Sequence, residues 1–278
     1  MAALNAAAPF DLRVNALKAT REEARAALGA EGIDAAPTPL SPWGLRLARR
    51  RPLGGCPSFL SGLVEVQDEG SQIVSLMSDA RPGMRVVDYC AGSGGKTLAL
   101  AAAMANRGRI AALDASPRIE RAAPRLARAG VDIATTRRIV PDDPWLGDHA
   151  AWADRVLLDV PCTGLGRWRR DPTARARLRP GDLEALVVRQ RRILDEAQAL
   201  VRPGGRLVYA TCSLLGCENE EQVSAFLERH AGFAPVPAPQ AWETAIGGPC
   251  PSRAPYLLLT PARHGTDGFF AAILERRA

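Results

Sequence analysis

The sequence predicts an α/β protein in which a doubly wound, mostly parallel sheet follows a small α+β element. From residue 81 onward, short apolar segments alternate with helical segments, which is the order expected when crossover helices connect parallel strands. Two of these apolar segments run directly into polar turns that carry Cys162 and Cys212. Such turns are typical of the carboxyl edge of an open parallel sheet, where α/β proteins bind their ligands.

Length and composition narrow the class of protein. The 278 residues, of which 47% are hydrophobic, can form one large domain or one domain with a small appendage. The apolar runs are far shorter than the roughly 18 residues that suggest a membrane span, and residues 1–10 lack the features of a signal peptide. We therefore expect a cytoplasmic protein that is a monomer and has no membrane partner.

The six cysteines are scattered through a long chain, so reduced thiols are expected rather than a disulfide scaffold. Only Cys212 and Cys217 approach zinc-ligand spacing, and no second pair completes a four-ligand set. We expect no metal. The net charge of +6 favours a polyanionic partner such as RNA, although arginine has displaced lysine almost everywhere, which weakens the inference.

The N-terminal element is predicted from local signals. Residues 11–16 have the pattern of a short strand, and Thr20-Arg-Glu-Glu23 is a capping box that opens a helix running to about Gly29. Five prolines between residues 32 and 61 favour short strands and turns over helices. The boundary between the two units is placed at residues 67–70, which divides the chain into 1–68 and 69–278.

The second unit repeats strand, loop and helix. Strands are predicted at 85–89, 109–113, 137–140, 155–158 and 206–210, and helices at 73–78, 95–105, 117–129, 183–200 and 218–229. Ser116 and Pro117 suit the N-cap and first position of a helix, which Pro124 should kink. The tail segments 256–259 and 268–274 are predicted to close the sheet as an antiparallel pair.

The first strand of this unit ends in a glycine-rich turn, Asp88-Tyr-Cys-Ala-Gly-Ser-Gly-Gly-Lys-Thr97. A tight turn into a helix brings a ligand close to backbone N–H groups at the positive helix end, so the loop should bind an anion. A nucleotide P-loop would need glycine where Cys90 stands. A methionine-type carboxylate fits the loop better, and Asp114, at the end of the next strand, is placed to hold a ribose. S-Adenosylmethionine satisfies both requirements.

Three motifs in order, Cys-Ala-Gly-Ser-Gly-Gly-Lys-Thr, Asp-Arg-Val-Leu-Leu-Asp-Val-Pro-Cys-Thr-Gly and Tyr-Ala-Thr-Cys-Ser, resemble the RNA 5-methylcytosine methyltransferases of the Nol/Nop/Sun type, which include a bacterial 16S ribosomal RNA enzyme. The resemblance covers almost the whole chain. It implies a Rossmann-like class I methyltransferase sheet with an antiparallel last strand in residues 69–278, and a small RNA-recognition-like domain in residues 1–68. It also implies S-adenosylmethionine as cofactor and RNA, specifically ribosomal RNA, as partner.

The same resemblance implies a set of cofactor-binding residues: Cys90, Ala91, Gly92, Ser93, Gly94, Gly95, Lys96, Asp114, Asp142 and Asp159. For the acid in Pro141-Asp-Asp-Pro144, Asp142 is favoured over Asp143 because it follows the strand more directly. The two aspartates could equally form a solvated turn.

The chemistry of cytosine methylation accounts for the cysteines. C5 is a poor nucleophile until a thiolate adds to C6, and loss of the C5 proton after methylation expels the thiol. The residues alone do not tell which thiol attacks, and each cysteine could instead be a small buried hydrophobe. The resemblance implies that Cys212 attacks, that Cys162 assists product release and that Asp159 holds the N3/N4 edge of the base.

A basic segment follows the second motif. We expect Arg167, Arg169 and Arg170 to contact RNA phosphates, with Arg175, Arg177 and Arg179 continuing the segment, although a solvated arginine-rich loop is the alternative. Gly216-Cys217 departs from the Pro-Glu that the family often has, which puts the local turn in doubt. Because bacterial members commonly carry a further N-terminal domain, a short form or a fragment is expected. A catalytically silent RNA-binding assembly factor that keeps the fold is the alternative function.

Overall fold

Two β-sheets organise the chain in the computed structural model, which describes residues 2–253 and 255–278, with the side chains of residues 172, 174 and 175 outside the description. The first sheet is antiparallel, with strand order β2-β3-β1-β4. Its strands are β1 Phe10–Val14, β2 Ala35–Pro37, β3 Gly44–Leu47 and β4 Val64–Val66. The accompanying helices are α1 Ala2–Asn5, α2 Arg21–Ala30 and α3 Pro57–Leu60.

The predicted start of α2 is confirmed. Thr20 Oγ1 accepts a hydrogen bond from Glu23 N, and the Glu23 carboxylate accepts one from Thr20 N, so both halves of the capping box are present. The prediction that residues 32–61 contain no helix is wrong at α3. Pro57 occupies the first turn of this short helix, where its missing N–H costs no intrahelical bond.

The second sheet has eight strands in the order β10-β12-β9-β8-β5-β6-β7, with β11 paired to β12. Its strands are β5 Arg85–Asp88, β6 Arg109–Asp114, β7 Ala134–Arg138, β8 Ala153–Asp159, β9 Val201–Thr211, β10 Phe233–Val236, β11 Leu257–Leu259 and β12 Phe269–Arg276. Strands β5 to β9 pair in parallel, whereas β12 runs antiparallel to β9. The mostly parallel, Rossmann-like sheet with an antiparallel edge is confirmed.

Helices cover both faces of this sheet. They are α4 Glu69–Leu76, α5 Gly95–Ala103, α6 Ala122–Ala129, α7 Pro144–Asp148, α8 Pro172–Arg177, α9 Asp182–Ala197, α10 Glu220–Arg229, α11 Ala238–Ala245 and α12 Pro261–His264. One core cluster joins α4, α5, α6 and α11 to the sheet, and a second joins α9 and α10 to the opposite face. No described helix combines the length and apolarity needed to cross a membrane.

Several predicted elements need correction. Strand β7 begins three residues before the predicted 137–140 because its extent is set by pairing with β6. Its side chains are polar and mostly exposed, so the sequence shows no alternation of apolar and polar residues there. The predicted helix 117–129 divides into a 3₁₀ segment, Pro117–Arg121, and α6, which begins two residues before Pro124. The edge strand β10 was not predicted, although the predicted pairing of the two tail strands is confirmed.

Candidate active site

The carboxyl ends of β5, β6, β8 and β9 open into a pocket of about 1140 Å³. Most of the residues singled out from the sequence line it: Cys90, Ala91, Gly92, Ser93, Gly95, Lys96, Asp114, Asp159, Cys162, Arg167, Arg170 and Cys212. Gly94, Asp142 and Arg169 are not among its lining residues. Within the described residues, no group of three or more His, Cys, Asp or Glu side chains could hold a metal ion.

The glycine-rich loop depends on two left-handed residues. Gly92 has φ of 56° and Gly94, the N-cap of α5, has φ of 80°. A Cβ on Gly94 would lie 2.9 Å from the Cβ of Ala122, whereas one on Gly92 would meet nothing within 4 Å. Gly94 therefore allows α5 to pack closely, and Gly92 leaves free space on the pocket side of the loop.

Asp114 is buried at the end of β6 and holds the loop in place. Its Oδ2 accepts a hydrogen bond from Gly92 N at 2.7 Å, and its Oδ1 accepts one from Ser116 N at 2.7 Å. Each carboxylate oxygen retains a further lone pair after these bonds. Asp114 can therefore accept hydrogen bonds from a ligand without releasing the loop.

Lys96 and Asp159, which the sequence places on separate motifs, form a close ion pair in the pocket. Lys96 Nζ lies 2.6 Å from Asp159 Oδ2 and donates a second bond to Ser71 Oγ at 3.0 Å. It also lies 5.7 Å from the centre of the Phe269 ring. Burial of an ammonium group requires such compensation. The Asp159 side chain remains 31% exposed, so it is accessible from the pocket.

Cys162 and Cys212 face each other across adjacent strands. Because β8 and β9 pair with Asp159 opposite Ala210, the turns after them meet, and the two sulfur atoms lie 3.4 Å apart. The hydrogen bond between the thiols lowers the pKa of Cys212 and raises that of Cys162. The cationic groups of Arg167 and Lys96 also lower the pKa of Cys212. Cys212 is therefore the thiol that more readily becomes a thiolate.

The turns that carry the two cysteines are joined by a buried carboxylate. Glu218 Oε2 accepts a bond from Thr163 Oγ1 at 2.6 Å, and Glu218 Oε1 accepts bonds from Thr163 N at 2.9 Å and from Gln190 Nε2 at 3.0 Å. Sequence reasoning gave Glu218 no role. Gly216 and Cys217, the residues that depart from the family pattern, form a 3₁₀ turn with Glu218.

The three arginines predicted to contact RNA have different surroundings. Arg169 donates to Asp267 Oδ1 at 2.8 Å, and its side chain is only 5% exposed. Arg170 is ion-paired with Asp267 and with Asp68 Oδ2, the latter at 2.7 Å. The side chain of Arg167 is 57% exposed, and its Nε lies 4.0 Å from Asp267 Oδ2. Arg167 is therefore the one of the three that presents a largely exposed guanidinium group beside Cys212.

The described side chains of the remaining arginines in the basic segment, Arg177 and Arg179, are exposed. Arg177 pairs with Asp171 at 2.5 Å, and the side chain of Arg175 lies outside the described residues.

The two aspartates after β7 also differ. Asp143 caps α7, accepting bonds from Trp145 N at 3.0 Å and from Arg137 Nη2 at 2.9 Å, and the first of these is the main cause of its lowered pKa. Asp142 has φ of 57°, is exposed, and follows Pro141, which lines the pocket. The carboxylate of Asp143 is engaged in the turn, whereas that of Asp142 is exposed near the rim.

The glycine-rich loop is also held from the N-terminal sheet, by contacts that the sequence does not reveal. Arg125, on α6, donates to Ser93 O at 2.7 Å and pairs with Glu65 Oε2 at 3.0 Å. Glu65 belongs to β4 and also pairs with Arg128. The position of the loop is therefore coupled to the first sheet.

A family model described as 16S rRNA methyltransferase RsmB/F matches residues 75–275. The chain belongs to this family. The resemblance to the Nol/Nop/Sun enzymes is thereby confirmed. A second RsmF/B-like model, that of the ferredoxin-like domain, matches residues 1–54. The RsmB/F match spans the glycine-rich loop and both cysteine motifs.

Relatives in the RsmB/F family are longer than this chain. Ribosomal RNA small subunit methyltransferase B of Xanthomonas campestris is 36% identical, in an alignment covering 96% of this chain and 60% of the relative. The protein of the same name from Pseudomonas putida is 35% identical, with 100% and 62% covered. The chain thus spans about three fifths of the length of these relatives.

Solved structures agree with the RsmB/F assignment at the level of the fold. A methyltransferase homolog protein from Pyrococcus horikoshii is 28% identical with a TM-score of 0.82, covering 99% of this chain and 88% of that one. NSun6 from the same organism, solved with SFG, is 21% identical with a TM-score of 0.86, covering 100% and 93%.

Proposed function

We propose that this chain methylates C5 of a cytosine in RNA, with S-adenosylmethionine as methyl donor and ribosomal RNA as the substrate class. The observation that carries the proposal is the pair of thiols 3.4 Å apart beside the Lys96–Asp159 ion pair. Family membership and relatives named as ribosomal RNA small subunit methyltransferases support the choice of RNA.

In the proposed reaction, the Cys212 thiolate adds to C6 of the cytosine and makes C5 nucleophilic. Asp159 holds the N3/N4 edge of the base. After C5 has accepted the methyl group, a base takes the C5 proton, the electron pair of that C–H bond forms the C5=C6 double bond, and the C6–Sγ bond breaks with its electron pair leaving on the Cys212 thiolate. Cys162, whose sulfur lies 3.4 Å from Cys212 Sγ in the resting site, assists this release.

The pocket residues fit the proposed cofactor. The loop at Gly92 presents open space at the N-terminus of α5, which suits a carboxylate, and Asp114 retains acceptor capacity for ribose hydroxyl groups. When bound, the cofactor supplies an electrophilic methyl group. The pocket volume of about 1140 Å³ exceeds the roughly 300–1,000 Å³ of ordinary ligand sites and leaves room for a nucleotide beside the cofactor.

We assign residues 69–278 to the catalytic domain and residues 1–68 to a small RNA-recognition domain. Among the predicted cofactor ligands, Cys90, Ala91, Ser93, Gly95 and Lys96 line the pocket with Asp114 and Asp159, and Asp142 would reach it from the rim. Arg167 is the favoured phosphate contact because, of Arg167, Arg169 and Arg170, it has the largely exposed side chain, and it lines the pocket. The ion pairs of Arg169 and Arg170 instead support the loop.

The thiol assignment is tested by trapping the covalent adduct. Ribosomal RNA and labelled S-adenosylmethionine are incubated with the wild type, with Cys162→Ala and with Cys212→Ala, and the mixtures are run on denaturing gels. Cys162→Ala should accumulate an RNA–protein adduct that survives denaturation, and Cys212→Ala should not. Cys250→Ala, whose thiol does not line the pocket, is the matched control and should behave as wild type.

The opposite pattern would reverse the roles of the two thiols. If wild-type protein transfers label to no cytosine in any RNA, the methyltransferase proposal fails. The alternative hypothesis, a catalytically silent RNA-binding assembly factor, is then favoured.

A further inference from the structure

A second groove, of about 460 Å³, lies on the N-terminal sheet. It is lined by two phenylalanines, Phe10 at the start of β1 and Phe59 in α3, together with Arg50, Arg51 and Val66. Hereafter it is called the arginine groove. Both rings are only partly buried against the core of the first sheet, so part of each is accessible.

The arginine groove adjoins the active-site pocket. Val66, the last residue of β4, is 44% exposed and lines both cavities. The next two residues, Gln67 and Asp68, line the active-site pocket. Val66 therefore connects the two cavities, and a strand of nucleic acid with one base in the pocket can reach the groove over this residue.

The groove combines cations with aromatic rings. The guanidinium carbon of Arg50 lies 5.6 Å from the centre of the Phe10 ring. The Phe59 ring is contacted by Arg128, which does not line the groove, at 4.2 Å from the ring centre. Nucleobases stack on both aromatic rings and guanidinium planes. The Arg50–Phe10 pair provides an extended stacking surface that does not select one base.

Charge complementarity also favours RNA. Arg49, Arg50 and Arg51 are consecutive and exposed. In the part of the chain that the structure describes, no carboxylate forms an ion pair with Arg49 or Arg50. Unpaired guanidinium groups attract the phosphates of a polyanion, whereas a protein partner would need an acidic surface of its own.

We propose that the arginine groove binds the single-stranded RNA that flanks the target cytosine, with a base stacked at Phe10 and the neighbouring phosphates held by Arg49 and Arg50. This inference rests on the proposed function, because it takes RNA as the substrate. It adds a binding site on the first sheet that is separate from the residues of the methyl-transfer reaction.

The first test compares binding of fluorescein-labelled single-stranded RNA of 12 nucleotides, containing one cytosine, by fluorescence anisotropy at several salt concentrations. Arg50→Ala should reduce the slope of log Kd against log salt by about 0.7, the value for one arginine–phosphate contact in single-stranded nucleic acid. Phe10→Leu keeps an apolar side chain but removes the stacking surface, and should raise Kd about tenfold. Arg109→Ala is the matched control, since this exposed arginine lies at the amino end of β6, away from the pocket.

The second test is photocrosslinking of the same RNA carrying 5-iodouridine beside the cytosine. Crosslinked peptides containing Phe10 or Phe59 support the groove, and crosslinks confined to other segments overturn it. The inference also fails if Arg50→Ala and Phe10→Leu bind RNA as Arg109→Ala does while the wild type still methylates RNA. Failure of the proposed function has a different signature, because wild-type protein then transfers no methyl group to RNA.

Discussion

Cys212 and Cys162 lie in one pocket, yet their surroundings favour different protonation states. The hydrogen bond with the Cys162 thiol lowers the pKa of Cys212, and Arg167 and Lys96 add positive potential at the same sulfur. The hydrogen bond with Cys212 is the main cause of the raised pKa of the half-buried Cys162 thiol, and desolvation and the carboxylate of Glu218 raise it further. A thiolate and a neutral thiol in contact are suited to nucleophilic attack and to later departure of the product.

This asymmetry predicts a pH effect. Replacing Cys162 with Ala removes the hydrogen bond that is the largest cause of the lowered Cys212 pKa, so that pKa should rise. Alkylation of the Cys212 peptide by iodoacetamide, followed by mass spectrometry across pH 6–10, should then reach half its maximal rate at a higher pH than in the wild type. Cys217→Ala should leave the profile unchanged. A profile for Cys162→Ala that stays in place or moves to lower pH would contradict the assignment.

Asp88 has a pKa that is raised from 3.8 to about 7, chiefly by burial. It accepts a bond from Thr97 Oγ1 at 2.7 Å behind the glycine-rich loop. Because the folded-state pKa is the higher one, the stability linked to this group is fully present below pH 3.8 and is lost as pH rises through about 7.

Asp88→Asn removes this titration but keeps an acceptor for Thr97. The wild type should lose more unfolding free energy than Asp88→Asn between pH 5 and pH 8, by an amount on the order of a few kcal/mol. Urea denaturation at a series of pH values measures the difference. Asp68, whose pKa is raised to about 6, titrates in both proteins, so its contribution cancels when the two unfolding free energies are subtracted. If the unfolding free energy of the two proteins changes equally with pH, Asp88 is not protonated in the folded state.

At the scale of elements, the loop that carries Arg167 is held by a close backbone contact. Gly166 N donates to Cys212 O, and Gly268 N donates to Gly166 O, both at 2.9 Å. A Cβ on Gly166 would lie 2.3 Å from Gly268 O, which is too close for any side chain.

Gly166→Ala should therefore destabilise the protein by about 1–3 kcal/mol, as expected of overpacking, and displace Arg167 from Cys212. Denaturant unfolding and the alkylation profile of Cys212 measure the two effects. Gly232→Ala is the control, because a Cβ there would meet nothing within 4 Å. An unfolding free energy equal to that of the control would refute the steric argument.

The sequence predicts those parts of the site that follow strand ends. The positions of Asp114, Asp159 and the two cysteines follow from parallel pairing, since the carboxyl ends of adjacent strands meet at one edge. Contacts between distant segments carry no local signal. Ser71 as a partner of Lys96 and Glu218 as the brace of the turns are visible only in three dimensions. The bounds of polar edge strands such as β7 are not predictable from the sequence, because they are set by pairing with the neighbouring strand and not by alternation of apolar residues.

At the scale of the whole molecule, the first sheet is anchored to the C-terminal end of α6. Asn15 Nδ2 donates to Ala129 O at 2.9 Å, and Lys18 Nζ donates to Arg128 O at 2.7 Å. Gly62 also approaches Arg128 O so closely that an added Cβ would lie 2.3 Å away. Together with the ion pairs of Glu65, these contacts connect the two sheets through one helix.

Glu65→Ala should destabilise the protein by about 3 kcal/mol, because it leaves Arg125 and Arg128 without their shared, buried carboxylate. It should also weaken S-adenosylmethionine binding, since Arg125 holds Ser93 of the glycine-rich loop. Urea denaturation and isothermal titration calorimetry measure the two effects. Glu22→Ala, which removes an exposed pair with Arg21, should change the unfolding free energy by less than about 1 kcal/mol. If Glu65→Ala and Glu22→Ala lose equal amounts of unfolding free energy, Glu65 does not couple the two sheets.

The anchoring of the first sheet on α6 also affects the entropy of substrate binding. In the proposed reaction, a flexible tether between the first sheet and the cofactor loop would require each encounter to restrict their relative motion before a base could meet the methyl donor. Here that motion is restricted once, when the chain folds. Loosening the anchor should therefore slow productive encounters with the proposed RNA substrate even where every residue proposed to touch the base is unchanged.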